Sequence, residues 1–480
     1  MPVVLGVDSS TQSTKVEARD VASGAVLGSA SASHPPTTPP VSEQDPQSWW
    51  DALVQATNAL DEAVRRDVVA IAVAGQQHGL VLLDETGAAV RPAKLWNDTT
   101  SAPQATRLVE AQGATWWAEA TGSMPVAAFT VAKLAWVVEH EPELLDRVAR
   151  VGLPHDALTL RLSGEHVTDR GDASGTGWFD PSTDTYLPDA LDAAGVDAGW
   201  LERLPRVLAP TDAAGTLTDA AADALGLDTS VVVGPGSGDN MGAALGLGLD
   251  VGDLVISLGT SGVAYARSAT GSADPTGSVA GFADAAGGFL PLVCTLNATK
   301  VTDTVARWLG TDAPGLAELA LAADGPAELT VVPWFDGERT PNRPEAAGVM
   351  QGLRTDTTRE QLALAAHDGV LCGLLHGVDA LAGCGISTEG TLHLIGGGAR
   401  SSAYRQRCAD LWGRPILVPD ADETVATGAA VQAAVAAGLG SFDDIQAAWQ
   451  LGQGQLVEPA AGVDAAGIRA LYAAATSDEN

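Results

Sequence analysis

The chain opens with an apolar run, a hydroxyl-rich turn and an alternating segment. Residues 3–7 (VVLGV) are apolar or glycine, and the run stops at Asp8, before a cluster of serine and threonine. Residues 15–19 (KVEAR) then alternate between polar and apolar side chains, which is the period-two pattern of a strand with one buried face. The pattern predicts a β-hairpin over residues 3–19 whose tip, residues 8–14, carries hydroxyl groups.

The rest of the first half alternates apolar runs with amphipathic segments. A proline-rich loop covers residues 34–48, and Trp49 opens a predicted helix that continues to about Arg66. Further elements are predicted in turn, with strands at residues 68–73 and 80–83 and helices at residues 127–140 and 188–196. Strands that alternate with helices in this way predict an α/β fold.

A second set of elements begins near residue 231 and repeats the order of the first. The pattern predicts a strand, a glycine-rich turn, a small-residue helix at residues 239–247 and a second hairpin at residues 254–266 with the tip GTSG. Two similar hairpins in two halves indicate a duplicated fold. We therefore expect two domains, residues 1–245 and residues 246–480.

The length of the chain agrees with two domains, and its net charge limits the partners that it is expected to bind. At 480 residues the chain is too long for one compact core, which agrees with two domains. The net charge of −34 repels nucleic-acid backbones, so nucleic acid is not an expected partner. The same charge repels ATP at long range. A nucleotide site would therefore need local amide groups, hydroxyls and a divalent cation.

The cysteines and the N-terminal segment indicate the cellular compartment in which the protein is expected. The four cysteines are widely spaced and form no CxxC pair, which predicts neither a disulfide framework nor a structural zinc site. The N-terminus has no basic segment followed by an apolar one, and no run approaches the roughly 18 apolar residues that span a bilayer. We expect a cytoplasmic protein with no membrane partner.

The common nucleotide-binding motifs are missing, and acidic, hydroxyl-rich turns at strand ends take their place. The chain has no GxxxxGK[ST] loop and no GxGxxG after a predicted strand. Asp8 ends an apolar strand, where a carboxylate can hold Mg²⁺ through water, and Lys15 would supply a nearby cation. An ordinary hairpin turn also favours Asp, Ser and Thr, so both interpretations stay open here and at the tip that contains Thr260. Two such tips together would hold a γ-phosphate from both sides of a cleft.

Two glycine-rich turns follow later in the chain. The first, GPGSGDN at residues 234–240, lets backbone and ligand approach closely and places Asp239 at a predicted helix start. Asp239 is either a helix N-cap or a general base that takes a proton from a substrate hydroxyl. The second, GGG at residues 396–398, lies between a predicted strand and a predicted helix. It is either a plain tight turn or a surface against which adenosine lies.

Gln77 and His78 follow another predicted strand, in the segment GQQHG. A lone histidine is more often a packed or surface residue than a ligand-binding one. The two neighbouring amides favour a binding role, because histidine and amide side chains suit a polyhydroxylated ligand.

At this point the chain resembles the FGGY family of carbohydrate kinases from about residue 3 to residue 437. Singly the matching segments are moderate signals, but in this order they are highly specific. They are, from the N-terminus, GVDSSTQSTK, VAGQQHG, LWNDTTSAPQA, FTVAKLAWVVEHEP, GSGDNMGAALGLG, SLGTSG, GVMQGLRTDTTREQLALAAHDG and LIGGGARSSAYRQRCADLWGRPI.

The resemblance implies two actin-like (ribonuclease H-like) ATPase domains, with ATP in the cleft between them and a sugar as the second small-molecule partner. It implies that Asp239 is the general base and that Asp8 handles Mg²⁺ and phosphate. Gln77 and His78 would contact a ketose, and Asp156 would help to hold it. The residues implied to line the nucleotide are Thr11, Gln12, Ser13, Lys15, Thr260, Gly397 and Gly398.

The substrate segment is most similar to that of family members that phosphorylate D-xylulose to D-xylulose 5-phosphate. Those members usually read GQMHG, whereas this chain has Gln77 in place of the methionine. Another ketose, a polyol or gluconate is the alternative acceptor within the family. A non-catalytic actin-like sensor would be expected to lack the base or a phosphate turn, and this chain keeps both. A homodimer is possible.

Overall fold

The computed structural model describes residues 1–324, 328–420 and 423–477. Its strands are β1 Val3–Ser9, β2 Ser13–Asp20, β3 Val26–Ser33, β4 Glu43–Gln44, β5 Val68–Gly75, β6 Val81–Leu83, β7 Ala93–Lys94, β8 Arg150–Gly152, β9 Val167–Asp169, β10 Phe179–Asp180, β11 Thr185–Tyr186, β12 Arg206–Leu208, β13 Gly215–Thr216, β14 Val232–Val233, β15 Ser237–Gly238, β16 Leu254–Leu258, β17 Gly262–Ala266, β18 Ala280–Ala283, β19 Phe289–Thr295, β20 Thr330–Val332, β21 Val349–Gln351, β22 Leu392–Ile395, β23 Ile416–Pro419 and β24 Gly454–Val457.

The α-helices are α1 Pro46–Asn58, α2 Glu62–Arg66, α3 Ala102–Gln112, α4 Ala114–Thr121, α5 Thr130–His140, α6 Pro154–Ser163, α7 Arg170–Ala173, α8 Pro188–Ala193, α9 Asp219–Leu225, α10 Asp239–Gly246, α11 Thr299–Trp308, α12 Ala313–Leu321, α13 Arg359–Gly383, α14 Ser402–Trp412, α15 Thr424–Ala436, α16 Phe442–Ala448 and α17 Ala465–Ser477. The predicted α/β fold is confirmed, and the predicted helix from Trp49 to Arg66 is two helices, α1 and α2.

Two sheets repeat one strand arrangement. In the first, β1 pairs antiparallel with β2 and parallel with β5, and the order is β13-β14-β5-β1-β2-β3. In the second, β16 pairs antiparallel with β17 and parallel with β22, and the order is β18-β19-β17-β16-β22-β23-β24. Each sheet therefore joins a hairpin to parallel strands, as the duplicated sequence pattern predicts. The residue at which one domain ends and the next begins stays a prediction.

Helices from both ends of the chain cover the first sheet. One face, which includes Leu5 and Val7, packs against α1 through Trp49, a fully buried side chain. The opposite face, which includes Val4, packs against α15, a helix more than 350 residues later in the chain. In the second half the 25-residue helix α13 supplies the core beneath β16 and β17.

Helices α10 and α15 cross with their backbones nearly in contact. A Cβ atom on Gly428 of α15 would lie 1.8 Å from the carbonyl oxygen of Gly242 of α10. A Cβ on Gly246 would lie 1.9 Å from the oxygen of Thr424, and one on Gly6 of β1 would lie 1.9 Å from that of Ala426. Glycine is required at these positions because no side chain fits between the backbones.

Candidate active site between the two halves

Two carboxylates meet at one edge of the first sheet. Strands β1 and β15 both run parallel to β5, with Asp8 opposite Ala74 and Gly238 opposite Gly75. The carboxyl ends of parallel strands meet at the same edge, so Asp8 and Asp239 come close together. Both residues line one cavity of about 430 Å³. The second half supplies other walls of that cavity, including Ser257, Tyr265, Gly396 and Gly397.

Burial favours the protonated forms of both acids, and repulsion by Asp239 adds to this effect at Asp8. Burial and the charge of Asp239 raise the pKa of Asp8 to about 7, and Lys15 opposes that shift. Burial raises the pKa of Asp239 to about 6, against the hydrogen bonds that it accepts from Asn240. Asp8 Oδ1 is buried and has no hydrogen-bond partner within the described ranges. A cation in this cavity would favour the ionised forms of both acids and would give Asp8 Oδ1 a partner.

His78 is rigid and neutral, and it is buried rather than among the residues that line the 430 Å³ cavity. Its backbone is left-handed, with φ of 65°, and its ring stacks on Phe129 at 4.9 Å between centroids. Nδ1 lies 2.8 Å from the carbonyl oxygen of Gly175, which can only accept, so Nδ1 carries the proton. Burial, helped by the charge of Lys133, lowers the pKa of His78 to about 3. The imidazole is therefore neutral, and its Nε2 is a hydrogen-bond acceptor.

Gln77 is likewise not among the residues that line the cavity, but it is hydrogen-bonded to Asn240, which does line it. It is 6% exposed, and its Oε1 accepts a hydrogen bond of 2.8 Å from Asn240 Nδ2. Asn240 also donates to Asp239, from its backbone N–H (2.7 Å) and from Nδ2 (2.9 Å), both to Oδ1. The sequence predicted Gln77 as a sugar contact but did not reveal this connection to Asp239.

Asp156 lies in a buried cluster rather than on the wall of the 430 Å³ cavity. Its Oδ2 accepts from the backbone N–H of Leu153 at the start of α6, and its Oδ1 lies 3.2 Å from His155 Nε2. His155 Nε2 also lies 3.3 Å from Asp169 and 3.5 Å from Asp172. Burial opposes the charged form of His155, but the three carboxylates outweigh it and raise the pKa of His155 to about 9.

This cluster was missed at the sequence level, because its members are spread over three separate elements. The only local sign was the pair His155-Asp156 after Pro154. His155 packs under the glycine-rich turn, where a Cβ on Gly236 would lie 2.4 Å from its Nδ1. The cluster therefore supports the turn that leads to Asp239.

The tip of the first hairpin is tied to its surroundings. Thr11 Oγ1 donates to Gln76 Oε1 (3.0 Å) and accepts from Trp96 Nε1 (2.9 Å). Gln12 is exposed, and the backbone oxygen of Ser13 accepts from the Ser10 hydroxyl. Of the tip residues, Ser10 lines the cavity beside Asp8. Ser10 belongs to the hydroxyl-rich tip that the sequence predicts to surround phosphate, although it was not among the residues that the resemblance implied to line the nucleotide.

Lys15 has a partner that the sequence did not suggest. Its ammonium group forms an ion pair with Glu423, at the start of α15. The two side chains are 29% and 36% exposed. The pair joins the first hairpin to the C-terminal part of the chain.

A second cavity of about 660 Å³ adjoins the first, because Gly397 and Arg400 line both. It contains all three nucleotide-lining residues that the sequence predicted in the second half, Thr260, Gly397 and Gly398. A Cβ on Gly398 would lie 2.7 Å from Leu258 Cβ, whereas one on Gly397 would meet no atom within 4 Å. Gly398 is thus needed for packing, and Gly397 leaves open space. The remaining walls, which the sequence did not predict, include Pro314, Ala317, His367 and Tyr404.

The described ranges contain no helix that is both long and apolar enough to cross a membrane. They also contain no group of three or more His, Cys, Asp or Glu side chains arranged to hold a metal ion.

Comparisons with known proteins agree with this geometry. Residues 3–246 match the N-terminal domain of the FGGY family of carbohydrate kinases, and residues 254–437 match its C-terminal domain. A xylulose kinase from Streptomyces coelicolor is 50% identical over 434 residues, which cover 90% of this chain and 88% of that protein. A xylulose kinase from Escherichia coli is 38% identical over 407 residues, 82% of each chain.

The same relationship holds at the level of structure. The crystal structure of a xylulose kinase from Bifidobacterium adolescentis superposes with a TM-score of 0.87 at 40% identity, over 99% of both chains. This confirms the predicted fold of two actin-like domains. The chain belongs to the FGGY family of carbohydrate kinases and is a phosphotransferase.

Proposed function

We propose that this protein transfers the γ-phosphoryl group of ATP to the 5-hydroxyl of D-xylulose, giving D-xylulose 5-phosphate. The observation that carries the proposal is the pair Asp8 and Asp239 in one cavity between the two halves. Relatives that share 50% and 38% of their aligned residues with this chain are xylulose kinases, which supports the choice of sugar. A cytoplasmic location and a homodimer stay predictions.

Asp239 is the general base. Oδ1 accepts two hydrogen bonds from Asn240, so Oδ2 is the atom left to take the proton of the sugar hydroxyl. With a pKa of about 6, the carboxylate is mostly ionised at neutral pH and is still basic enough to accept that proton. Gln77 and the neutral His78 would bind the other sugar oxygens. Asp156 would act indirectly, from the buried cluster that supports the turn leading to Asp239.

Asp8 is the residue that would hold Mg²⁺. Its buried, unpartnered Oδ1 and the second carboxylate nearby make a divalent cation a good fit to this cavity. A single carboxylate suffices, because Mg²⁺ usually keeps several waters and takes its other ligands from substrate phosphates. When bound, the ion would neutralise negative charge on the phosphates.

The nucleotide would lie across the two adjoining cavities. The 660 Å³ cavity would hold adenosine against Gly397 and Gly398, and Thr260 would face the phosphates. The first hairpin tip, with Thr11, Gln12 and Ser13, would approach the phosphates from the other half. Lys15 already pairs with Glu423, so we expect it to act mainly on the position of the tip.

A coupled assay for ADP tests the proposal. The panel is D-xylulose, L-ribulose, D-ribulose, D-fructose, glycerol and gluconate, and we expect kcat/KM to be highest for D-xylulose. A higher value for another sugar would overturn the choice of substrate.

The role of the base is tested by Asp239→Asn, which should abolish transfer while leaving ATP binding intact. Asp250→Asn, at an exposed position beyond α10, is the matched control and should keep parental activity. Near-normal turnover by Asp239→Asn would rule out the mechanism.

A further inference from the structure

A short series of hydrogen bonds connects Gln77 to the carboxylate of Asp239. Asn240 Nδ2 has two protons, and it donates one to Asp239 Oδ1 (2.9 Å) and the other to Gln77 Oε1 (2.8 Å). The backbone N–H of Asn240 donates to the same oxygen of Asp239 (2.7 Å). One oxygen of the base is thus held by Asn240, and Asn240 is held in turn by Gln77.

The chemistry of the carboxylate fixes the direction of each bond. An ionised carboxylate only accepts hydrogen bonds, so Asn240 must turn its NH₂ group towards Asp239. The second proton of that NH₂ group then requires an acceptor, which Gln77 Oε1 supplies. Gln77 Nε2 is left as a buried donor that has no partner within the described part of the chain.

Packing holds the Gln77 side chain in this place. A Cβ on Gly238 would lie 2.8 Å from Gln77 Cγ and 2.9 Å from its Cδ. Only glycine at this position lets the amide lie over the backbone that leads directly into Asp239. Gly238 is itself fixed, because it pairs with Gly75 in the sheet.

We propose that Gln77 is a positioning residue for the base, acting through Asn240. This inference rests on the proposed function, since it requires Asp239 to be the proton acceptor. Without an oxygen at position 77, Asn240 Nδ2 loses one of its two acceptors and can rotate away. Its hydrogen bond to Asp239 then weakens, and the pKa of Asp239 rises because that bond favours the ionised form.

A double-mutant cycle tests the proposal in the full-length protein with ATP and D-xylulose. Gln77→Met keeps the length of the side chain and removes the acceptor. We expect it to lower kcat at neutral pH by about tenfold and to move the acid limb of the kcat–pH profile to higher pH. In an Asn240→Ala background the same substitution should leave kcat and the acid limb as they are in Asn240→Ala alone, because the amide that donates to Gln77 is already gone.

Gln76→Met is the matched control. It removes the neighbouring amide, whose Oε1 accepts from Thr11, and should leave the acid limb where it is. Gln77→Glu is a second probe if the methionine variant unfolds at a lower temperature. It keeps an oxygen that accepts from Asn240, so its kcat on the plateau above the acid limb should stay closer to the parental value than that of Gln77→Met, and an equal loss in both variants would contradict the inference.

Two results would overturn the inference. One is a Gln77→Met variant that changes only the KM for the sugar and keeps the parental acid limb, since that is the behaviour of a simple sugar contact. The other is full additivity of the two substitutions. Failure of the proposed function looks different, because the unmodified protein would then show no sugar-dependent ADP formation, and the inference would fall with it.

Discussion

The crossing of α10 and α15 predicts a large effect from a very small substitution, Gly428→Ala. The added Cβ would lie 1.8 Å from the carbonyl oxygen of Gly242, and real Cβ contacts are essentially never closer than 3.0 Å. The two helices would therefore have to separate by about 1.2 Å, the difference between these two distances. Neither atom belongs to a flexible side chain, so the backbones themselves must move.

The magnitude follows from two opposing effects. Forcing an extra carbon into a packed interface costs about 3 kcal/mol, and alanine gains about 1 kcal/mol over glycine in a helix. We expect the free energy of unfolding to fall by about 2 kcal/mol. Activity should fall as well, because α10 begins at Asp239. A displacement of about 1 Å at a reacting group can cost about a hundredfold in rate, and we expect kcat to drop at least about tenfold.

Urea unfolding followed by tryptophan fluorescence measures the first quantity, and the coupled ADP assay measures the second. Gly383→Ala is the matched control, because Gly383 ends the long helix α13 and a Cβ there would meet nothing within 4 Å. The control should be as active as the parent and at least as stable, with a gain of up to about 1 kcal/mol from the helix preference of alanine. If Gly428→Ala behaves like this control in both assays, the reasoning about the crossing is wrong.

Three further predictions follow from the site. Since burial raises the pKa of Asp239 to about 6 in the protein without substrate, kcat/KM should fall by about tenfold per unit as pH drops below that value, and a profile that is flat to about pH 5 would contradict this. Replacing His155 with Leu should lower the unfolding free energy at neutral pH by about 3 kcal/mol, because the buried acids around it lose their cationic partner. The raised pKa of His155 means that its contribution is complete below its ordinary value of 6.5 and is lost as pH rises towards about 9, so urea curves of variant and parent should converge over that range. Lys15→Met should change the unfolding free energy by less than about 1 kcal/mol, since its ion pair with Glu423 is partly exposed and screened by solvent. A larger loss of unfolding free energy would contradict this prediction.

Local patterns were sufficient to predict the parts of the fold that depend on neighbouring residues. The two hairpins, the first strand, which contains Asp8 and ends one residue later than predicted, and the helix that begins at Asp239 each follow from a periodic run and the turn beside it. The family resemblance then placed these residues in a cleft. The order of the motifs thus predicted the fold and the main carboxylates.

Contacts between distant residues could not be predicted in the same way. The hydrogen bond from Asn240 to Gln77 joins positions 163 residues apart. The ion pair of Lys15 with Glu423 and the cluster around His155 likewise depend on how whole elements pack. No local periodicity encodes such pairs, because each partner looks like an ordinary polar residue within its own segment.

The packing of α15 on the first sheet has a consequence for biosynthesis. During translation, the face of the first sheet that contains Val4 and Ala72 stays uncovered until residues 424–436 have been synthesised. Nearly the whole polypeptide must leave the ribosome before that half can reach its final state. A fragment that stops near residue 245 would expose an apolar surface, and we expect it to aggregate when expressed alone.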